Sequence, residues 1–295
     1  MPSRRVATAA AVLTGSLVLA GTVNAAVVPI SSGSYYEYYG ECTPLTTFNG
    51  VALQGDGADD TILGTPANDL LRGGGGADTI DGLPGDDCIN GQAGDDTMSG
   101  SDGADVIIGE GGNDSATGGP GNDVMTMGFE DDVASGNGGN DSIVGDSGQD
   151  RLSGNGGNDL IKGFGDNDII TGNGGNDRLQ GSGGSDNVKG NAGRDKVRGG
   201  TGNDKVNGGG GNDQVQSQGG NDKISGGNGE DNIRAGGGND KVKAADGFKD
   251  KIKCGLGKKD KATVDEIDTI AGKKVTENAP KFPKIGDCEK VKIKS

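Results

Sequence analysis

The sequence predicts a repetitive structure of short β-strands in place of a globular core, and three observations carry that reading. Aspartate recurs at every ninth position over most of the chain, an apolar residue follows each of these aspartates two positions later, and glycine keeps the same nine-residue phase. Composition agrees with the pattern. Of 295 residues 63 are glycine, while only 30% are hydrophobic and 3% aromatic. Such a chain either stays disordered or builds a repeat stabilised by something other than side-chain burial.

In chain order, the first element is a leader. Arg4 and Arg5 precede an apolar run from Val6 to Gly21, and Val23-Asn24-Ala25 supplies the small residues of a cleavage site after Ala25. Residues 1–25 are therefore expected to be a signal peptide, which makes the protein secreted and extracellular. The run is short and interrupted by Thr8, Thr14, Gly15 and Ser16, so it suits export better than anchoring, and no other stretch could cross a membrane.

The repeats begin at Asp60 and continue through Asp69, Asp78, Asp87, Asp96, Asp105, Asp114, Asp123, Asp132, Asp141, Asp150, Asp159, Asp168, Asp177, Asp186, Asp195, Asp204, Asp213, Asp222, Asp231 and Asp240. The apolar position runs from Ile62, Leu71 and Ile80 to Ile224, Ile233 and Val242, with Ala116 and Ala134 its smallest members. Glycine stands two before the aspartate in 17 of 21 units and five before it in 18 of 21. The clearest units are Gly154-Asn155-Gly156-Gly157-Asn158-Asp159-Leu160-Ile161-Lys162 and Gly208-Gly209-Gly210-Gly211-Asn212-Asp213-Gln214-Val215-Gln216. Glycine and asparagine tolerate positive φ, so the first six residues are expected to form a tight turn that exposes carbonyls, and the aspartate adds a carboxylate. The last three are expected to form a strand whose middle residue points to a dry face and whose neighbours point to a wet one. Carbonyls plus carboxylates are oxygen-only donors, the ligand set of a hard cation with a high coordination number, Ca²⁺. All 21 aspartates are candidate metal ligands.

This unit resembles the nonapeptide of the RTX, or haemolysin-type calcium-binding, family, which reads GGxGxDxux with u apolar. The resemblance runs from residue 55 to 243. It implies an all-β fold, a right-handed parallel β-roll (a calcium-binding β-solenoid) with two nonapeptides per turn and, over 21 units, about ten coils. It also implies Ca²⁺ held between turns stacked two units apart by loop carbonyls and the repeat aspartates. Filling every such gap would take up to about 19 ions. Several units depart from the pattern and weaken the sites expected there. Ala58, Ala67, Glu130 and Asp166 replace the glycine before the aspartate, and Met127-Gly128-Phe129-Glu130 is expected to spoil the whole turn around Asp132. Ser217 and Ala235 replace the first glycine of two later units, although the run from Asp141 to Asp240 is otherwise cleaner. One modest apolar side chain per nine glycine-rich residues cannot offset the entropy of ordering them. Folding that waits for calcium is therefore expected.

The segments flanking the repeats read as caps, residues 26–54 before them and a basic stretch, 244–295, after them. Four cysteines in an exported chain suggest two disulfides. Of the three possible pairings, sequence proximity favours Cys42 with Cys88 and Cys254 with Cys288. In a roll of two units per coil, Cys88 falls in an outward column with Leu70, Val106 and Val124, apolar where the face should be wet. The segment from Ala26 to Gly50, with Tyr35, Tyr36, Tyr38 and Tyr39, is expected to cover it. After Val242 the period slips by one residue, to Asp250-Lys251-Ile252, and a degraded unit follows at Cys254-Gly255-Leu256-Gly257-Lys258-Lys259-Asp260. With Val264-Asp265-Glu266-Ile267-Asp268 and the later Cys288-Glu289-Lys290-Val291, this end is similar to that of secreted actinobacterial calcium-binding repeat proteins.

Charge and missing residue types exclude several functions. The chain has no histidine and a net charge of −16, which removes Ser/His/Asp and Cys/His catalysis and imidazole-bound metals and disfavours nucleic acid as a partner. The charge is uneven: residues 55–150 hold 21 acids and one base, residues 151–243 hold 12 of each, and residues 244–295 hold 9 acids and 13 bases. In the later units Lys196, Arg198, Lys205, Lys223 and Lys241 take outward strand positions. Matches to GxGxxG lie inside nine-residue periods with no following helix, so they do not mark a dinucleotide site. The aspartates are equivalent and form no distinct acid–base pair, which argues against an enzyme. The sequence thus predicts a secreted, calcium-loaded, non-catalytic repeat protein with a structural or interaction role. The alternative is a calcium-dependent, adhesin-like module that binds cell-wall or extracellular polysaccharide, and more remotely a carbohydrate-active enzyme. A flat hydroxyl face is not sustained, because Val133 and Arg151 interrupt the column Thr61, Thr79, Thr97, Ser115.

Overall fold

A computed structural model describes residues 5–8, 49–257, 259–265, 267–270, 273–274 and 288–294. Most of the leader, the four tyrosines and Cys42 lie outside the described residues. The chain divides into two compact units, Met1–Gly145 and Asp146–Ser295. Each is built from β-strands alone among the described residues.

In both units successive strands alternate between two sheets, and within the nonapeptide repeats strands eighteen residues apart pair in parallel. In the first unit one sheet runs Arg5–Thr8, Asp60–Leu63, Thr79–Asp81, Thr97–Ser99, Ser115–Pro120, Val133–Gly138, and the other runs Ala52–Gln54, Leu70–Gly75, Cys88–Ala93, Val106–Gly111, Val124–Phe129. In the second unit the first sheet runs from Arg151–Gly156 through Ile169–Gly174, Asn187–Ala192, Lys205–Gly210, Lys223–Asn228, Lys241–Lys243 and Lys261–Val264 to Lys290–Ile293. Its companion runs from Leu160–Gly165 through Arg178–Gly183, Lys196–Thr201, Gln214–Gly219, Asn232–Gly237 and Lys251–Leu256 to Thr269–Ile270, where Lys273–Lys274 adds an antiparallel edge. Two nonapeptides therefore make one coil, and the architecture is that of a parallel β-roll. Pairing continues past residue 243, so the described part of the basic C-terminal segment adds strands to both sheets.

Most strands are six residues long where the sequence reading expected three. Leu160–Gly165 takes in Gly163-Phe164-Gly165, residues that the repeat pattern places in the following turn. The reason is backbone pairing: Phe164 stands opposite Ser182, and Asn155 opposite Asn173, so the first half of the nonapeptide also joins a ladder. The turn proper shrinks to about three residues ending at the aspartate.

The longer strand places two residues of each unit inward instead of one. The first is the apolar residue, and Ile161, Leu179, Val197, Val215 and Ile233 are at most 1% exposed. The second, two positions on, is the glycine five before the next aspartate. Met127, Ser217 and Ala235, which replace that glycine, are also fully buried. The turn around Asp132 is kept, contrary to expectation. Met127 packs in the core, Glu130 takes φ +74°, and Asp132 stays buried. A side chain that tolerates the left-handed region suffices to close the turn.

Cys254 and Cys288 form the expected disulfide, with Cα atoms 5.2 Å apart, and so tie Lys251–Leu256 to the start of the last strand. Cys88 is also disulfide-bonded and fully buried, together with Leu70 and Val106 of the apolar column, whereas Val124 is exposed. The segment expected to cover that column lies outside the described residues up to Phe48.

Candidate metal centres

From the unit of Asp78 to that of Asp240, the turn between strands is shaped by two positive-φ positions, four and two residues before the aspartate. In consecutive units they are Asn155 (+73°) and Gly157 (+129°), then Asp166 (+68°) alongside Phe164 (+82°), then Asn173 (+77°) and Gly175 (+126°). The position four before the aspartate shows no strict residue rule in the sequence, yet it needs a left-handed backbone, which asparagine supplies at little cost. The position two before it reaches φ values that only glycine adopts easily.

The turn delivers each aspartate into the protein, not to its surface. Asp60 is 7% exposed and the remaining repeat aspartates are at most 2% exposed. They form two hydrogen-bonded rows. In one, Asp159 N–H donates to Asp177 Oδ1 at 2.9 Å, Asp177 to Asp195 at 2.8 Å and Asp195 to Asp213 at 2.8 Å. In the other, Asp168 donates to Asp186, Asp186 to Asp204 and Asp204 to Asp222, each at 2.9 Å. The first unit repeats the arrangement from Asp60 and Asp69 to Asp132 and Asp141.

Only one carboxylate oxygen is used in this way. For Asp177, Asp195 and Asp213 in one row, and Asp186 and Asp204 in the other, Oδ2 is buried and accepts no hydrogen bond. It lies beside the inward glycine. A methyl group added at Gly190 would collide with both Asp195 Oδ2 and the carbonyl oxygen of Gly208, and one at Gly181 would meet Asp186 Oδ2 and, at 2.6 Å, the carbonyl of Gly199. A carboxylate oxygen and a backbone carbonyl from the next coil thus converge at Gly181 and Gly190, where a methyl group has no room unless they shift, whereas Met127, Ser217 and Ala235 are accommodated at the same position. The two phased glycines serve different ends: one bends the backbone, the other vacates space.

Burial without a second partner makes these carboxylates hard to ionise. Desolvation pushes Asp168 up to about 8, against the backbone N–H bond from Asp150 that lowers it, and repulsion from Asp186 and Asp150 adds to the rise. Asp87 and Asp250 reach about 8 for the same reasons, Asp123 and Asp231 about 7, and Asp177, Asp186, Asp195 and Asp204 about 6. A buried carboxylate in this position either holds a proton or takes a cation. The donors are all oxygen, from carboxylates and main chain, which fits Ca²⁺ and offers nothing to a soft metal.

The rows extend beyond the residues singled out from sequence. Asp231 N–H donates to Asp250 Oδ1 at 2.8 Å, Asp240 to Asp260 at 2.9 Å and Asp250 to Asp268 at 3.0 Å. The signal was present in Asp250-Lys251-Ile252, Asp260-Lys261-Ala262 and Asp268-Thr269-Ile270, which keep the aspartate and the apolar residue two later while losing the nine-residue spacing. The slip also brings in a carboxylate outside the repeat pattern. Asp246 is held by N–H groups of Gly229 and Phe248, at 3.0 and 2.9 Å. It presents an oxygen within 4.8 Å of oxygens from Asp231 and Asp250.

The RTX calcium-binding nonapeptide repeat family model matches residues 54–89, 90–125, 128–161, 144–179, 180–215 and 207–242. The chain belongs to the RTX family. Its matched segments leave out residues 126–127, where Met127 takes the place of the inward glycine. No curated protein matches the chain. As a member of the RTX family it is a calcium-binding structural repeat protein, and among its described residues no helix is long and apolar enough to cross a membrane.

Proposed function

We propose that this RTX protein is exported, that its coils fold on binding calcium, and that it serves a structural or interaction role without catalysis. The ligands in this reading are the repeat aspartates from Asp60 to Asp240 with neighbouring loop carbonyls. The observation that carries it is the buried Oδ2 of Asp177, Asp186, Asp195 and Asp213, each beside a backbone carbonyl of the next coil and without a hydrogen bond. Left ionised and alone, such atoms oppose folding. Bound Ca²⁺ supplies the positive charge and the oxygen coordination they lack. Export is supported by the leader of residues 1–25 and by the Cys254–Cys288 disulfide, a bond suited to an oxidising compartment. Absence of catalysis is supported by the equivalence of the aspartates, which recur at one buried place in each unit and are joined neighbour to neighbour in two like rows.

The test is circular dichroism of the full-length mature chain titrated with calcium from a chelated start, with bound ions counted. A chain largely without β-structure in chelator that gains it in calcium, with many ions bound, supports the reading. An unchanged spectrum, or uptake of only one or two ions, overturns it. A polysaccharide-binding role is favoured by one feature of the second unit, its outward-facing lysines.

A further inference from the structure

The first sheet of the second unit carries a column of lysines on its outer face. Lys205 stands opposite Lys223, Lys223 opposite Lys241, Lys241 opposite Lys261 and Lys261 opposite Lys290, all in parallel register and all exposed. Neighbouring strands lie about 4.8 Å apart, so five ammonium groups rise from the sheet at one per strand over roughly 19 Å. Like charges directly opposite one another destabilise a sheet. The same face places no acid between them: from Arg151 to Lys292, neither outward position of these strands is Asp or Glu among the described residues.

A second outward column runs beside the first and is mixed, with Lys189, Asn207, Ser225, Lys243, Thr263 and Lys292 in register. Shallow grooves lie between the columns, one lined by Lys205, Lys223, Lys241 and Ser225, another by Lys261, Thr263, Lys290 and Lys292. The other sheet of this unit lacks such a ladder, because Arg178 and Lys196 are followed in register by Gln214 and Asn232. The lysine array is therefore a property of one face, beyond the basic composition of the second half.

We propose that this face docks a linear acidic polysaccharide, laid across the strands with its carboxylates along the lysine column and its hydroxyls against the amide and hydroxyl groups of the second column. Charge complementarity calls for a polyanion with closely repeating charges. A single-stranded nucleic acid fits less well, since the face has no aromatic residue on which bases could stack. Lysine also offers point charges, without the planar fork by which arginine grips phosphate. This inference rests on the calcium-loaded coil, whose strand pairing sets the lysines in line.

The experiment measures binding of polygalacturonate, neutral dextran and poly(dT) to the full-length calcium-loaded protein by calorimetry. Three proteins are compared: wild type, a variant with Lys→Gln at 205, 223, 241, 261 and 290, and a charge-matched variant with Gln at Arg178, Lys196, Arg198, Arg234 and Lys251. With five exposed contacts removed together, the ladder variant is expected to lose about fivefold or more in affinity for polygalacturonate, and the control less than about threefold. Equal losses in both variants would show that net charge alone is responsible, and tighter binding of poly(dT) would assign the face to nucleic acid. Either result overturns the proposal, as does absence of polygalacturonate binding by wild type that has gained its calcium-induced spectrum. Circular dichroism on each protein separates these results from failure of calcium-driven folding. Single Lys223→Gln and Lys241→Gln variants serve if the fivefold variant does not fold.

Discussion

The backbone N–H of Asp177 donates to Oδ1 of Asp195, 2.8 Å away and eighteen residues later, while Oδ2 of Asp195 is buried without a partner. One carboxylate thus does two separate tasks. Oδ1 stitches neighbouring coils together, and Oδ2 is left for a cation.

Asp195→Asn is expected to separate these tasks. Asparagine keeps an acceptor for the Asp177 N–H but loses the charge that calcium would meet. Calcium uptake should fall, and midpoints in urea at saturating calcium should drop by an amount equivalent to about 1–3 kcal/mol. Asp246→Asn should likewise reduce ion uptake while leaving the regular repeats folded, because Asp246 lies outside the nine-residue phase. Ion counting alongside urea titration reads both.

Two glycines of similar appearance should respond oppositely to a methyl group. At Gly190 it would strike Asp195 Oδ2 and the Gly208 carbonyl, whereas at Gly219 it meets nothing within 4 Å. Gly190→Ala is expected to destabilise by roughly 1–3 kcal/mol or to prevent calcium-driven folding. Gly219→Ala should stay within about 0.5 kcal/mol of wild type. Thermal melts in saturating calcium distinguish them.

Acidity should act in opposite directions with and without calcium. Asp168, Asp177 and Asp195 have folded-state pKa values raised above the ordinary 3.8, to about 8, 6 and 6. A carboxyl with a raised pKa binds more protons folded than unfolded, so the calcium-free coil loses stability as pH climbs from about 4 to 8. Calcium must displace those protons, and its apparent affinity should increase over the same range. Calcium titrations by circular dichroism at pH 5 and pH 8 test this. A weaker midpoint at pH 8 than at pH 5 would contradict it.

The Cys254–Cys288 bridge closes a loop of 34 residues at the end of the second unit. Replacing both cysteines with serine should cost about 3–4 kcal/mol on the chain-entropy account. The loss should appear first in the strands Lys251–Leu256 and Lys290–Ile293, as faster amide exchange than in Leu160–Gly165.

Much of the fold was legible because it is periodic. The apolar residue two after each aspartate, from Ile62 to Val242, lies in the core, and the cysteine pair nearest the C-terminus is bonded as its spacing suggested. Strand length was misjudged at Gly163-Phe164-Gly165, since glycine read as turn although its backbone was free to pair. The glycine of the inward strand position and the glycine of the bend looked alike for the same reason. A residue without a side chain does not announce whether its conformation or its smallness is required.

By itself, then, the sequence determined the repeat, its phase, the inward apolar position, the oxygen-rich donor set and the strongly acidic first half. Tertiary structure decided which of those oxygens is left over, because the eighteen-residue coil sets Asp177 N–H against Asp195 Oδ1 and leaves Oδ2 to a cation. It also drew Asp246 toward Asp231 and Asp250, and aligned five lysines spread over eighty-six residues into one column. Those outcomes depend on which residues two units apart come to face each other, and that relation exists only once the chain has coiled.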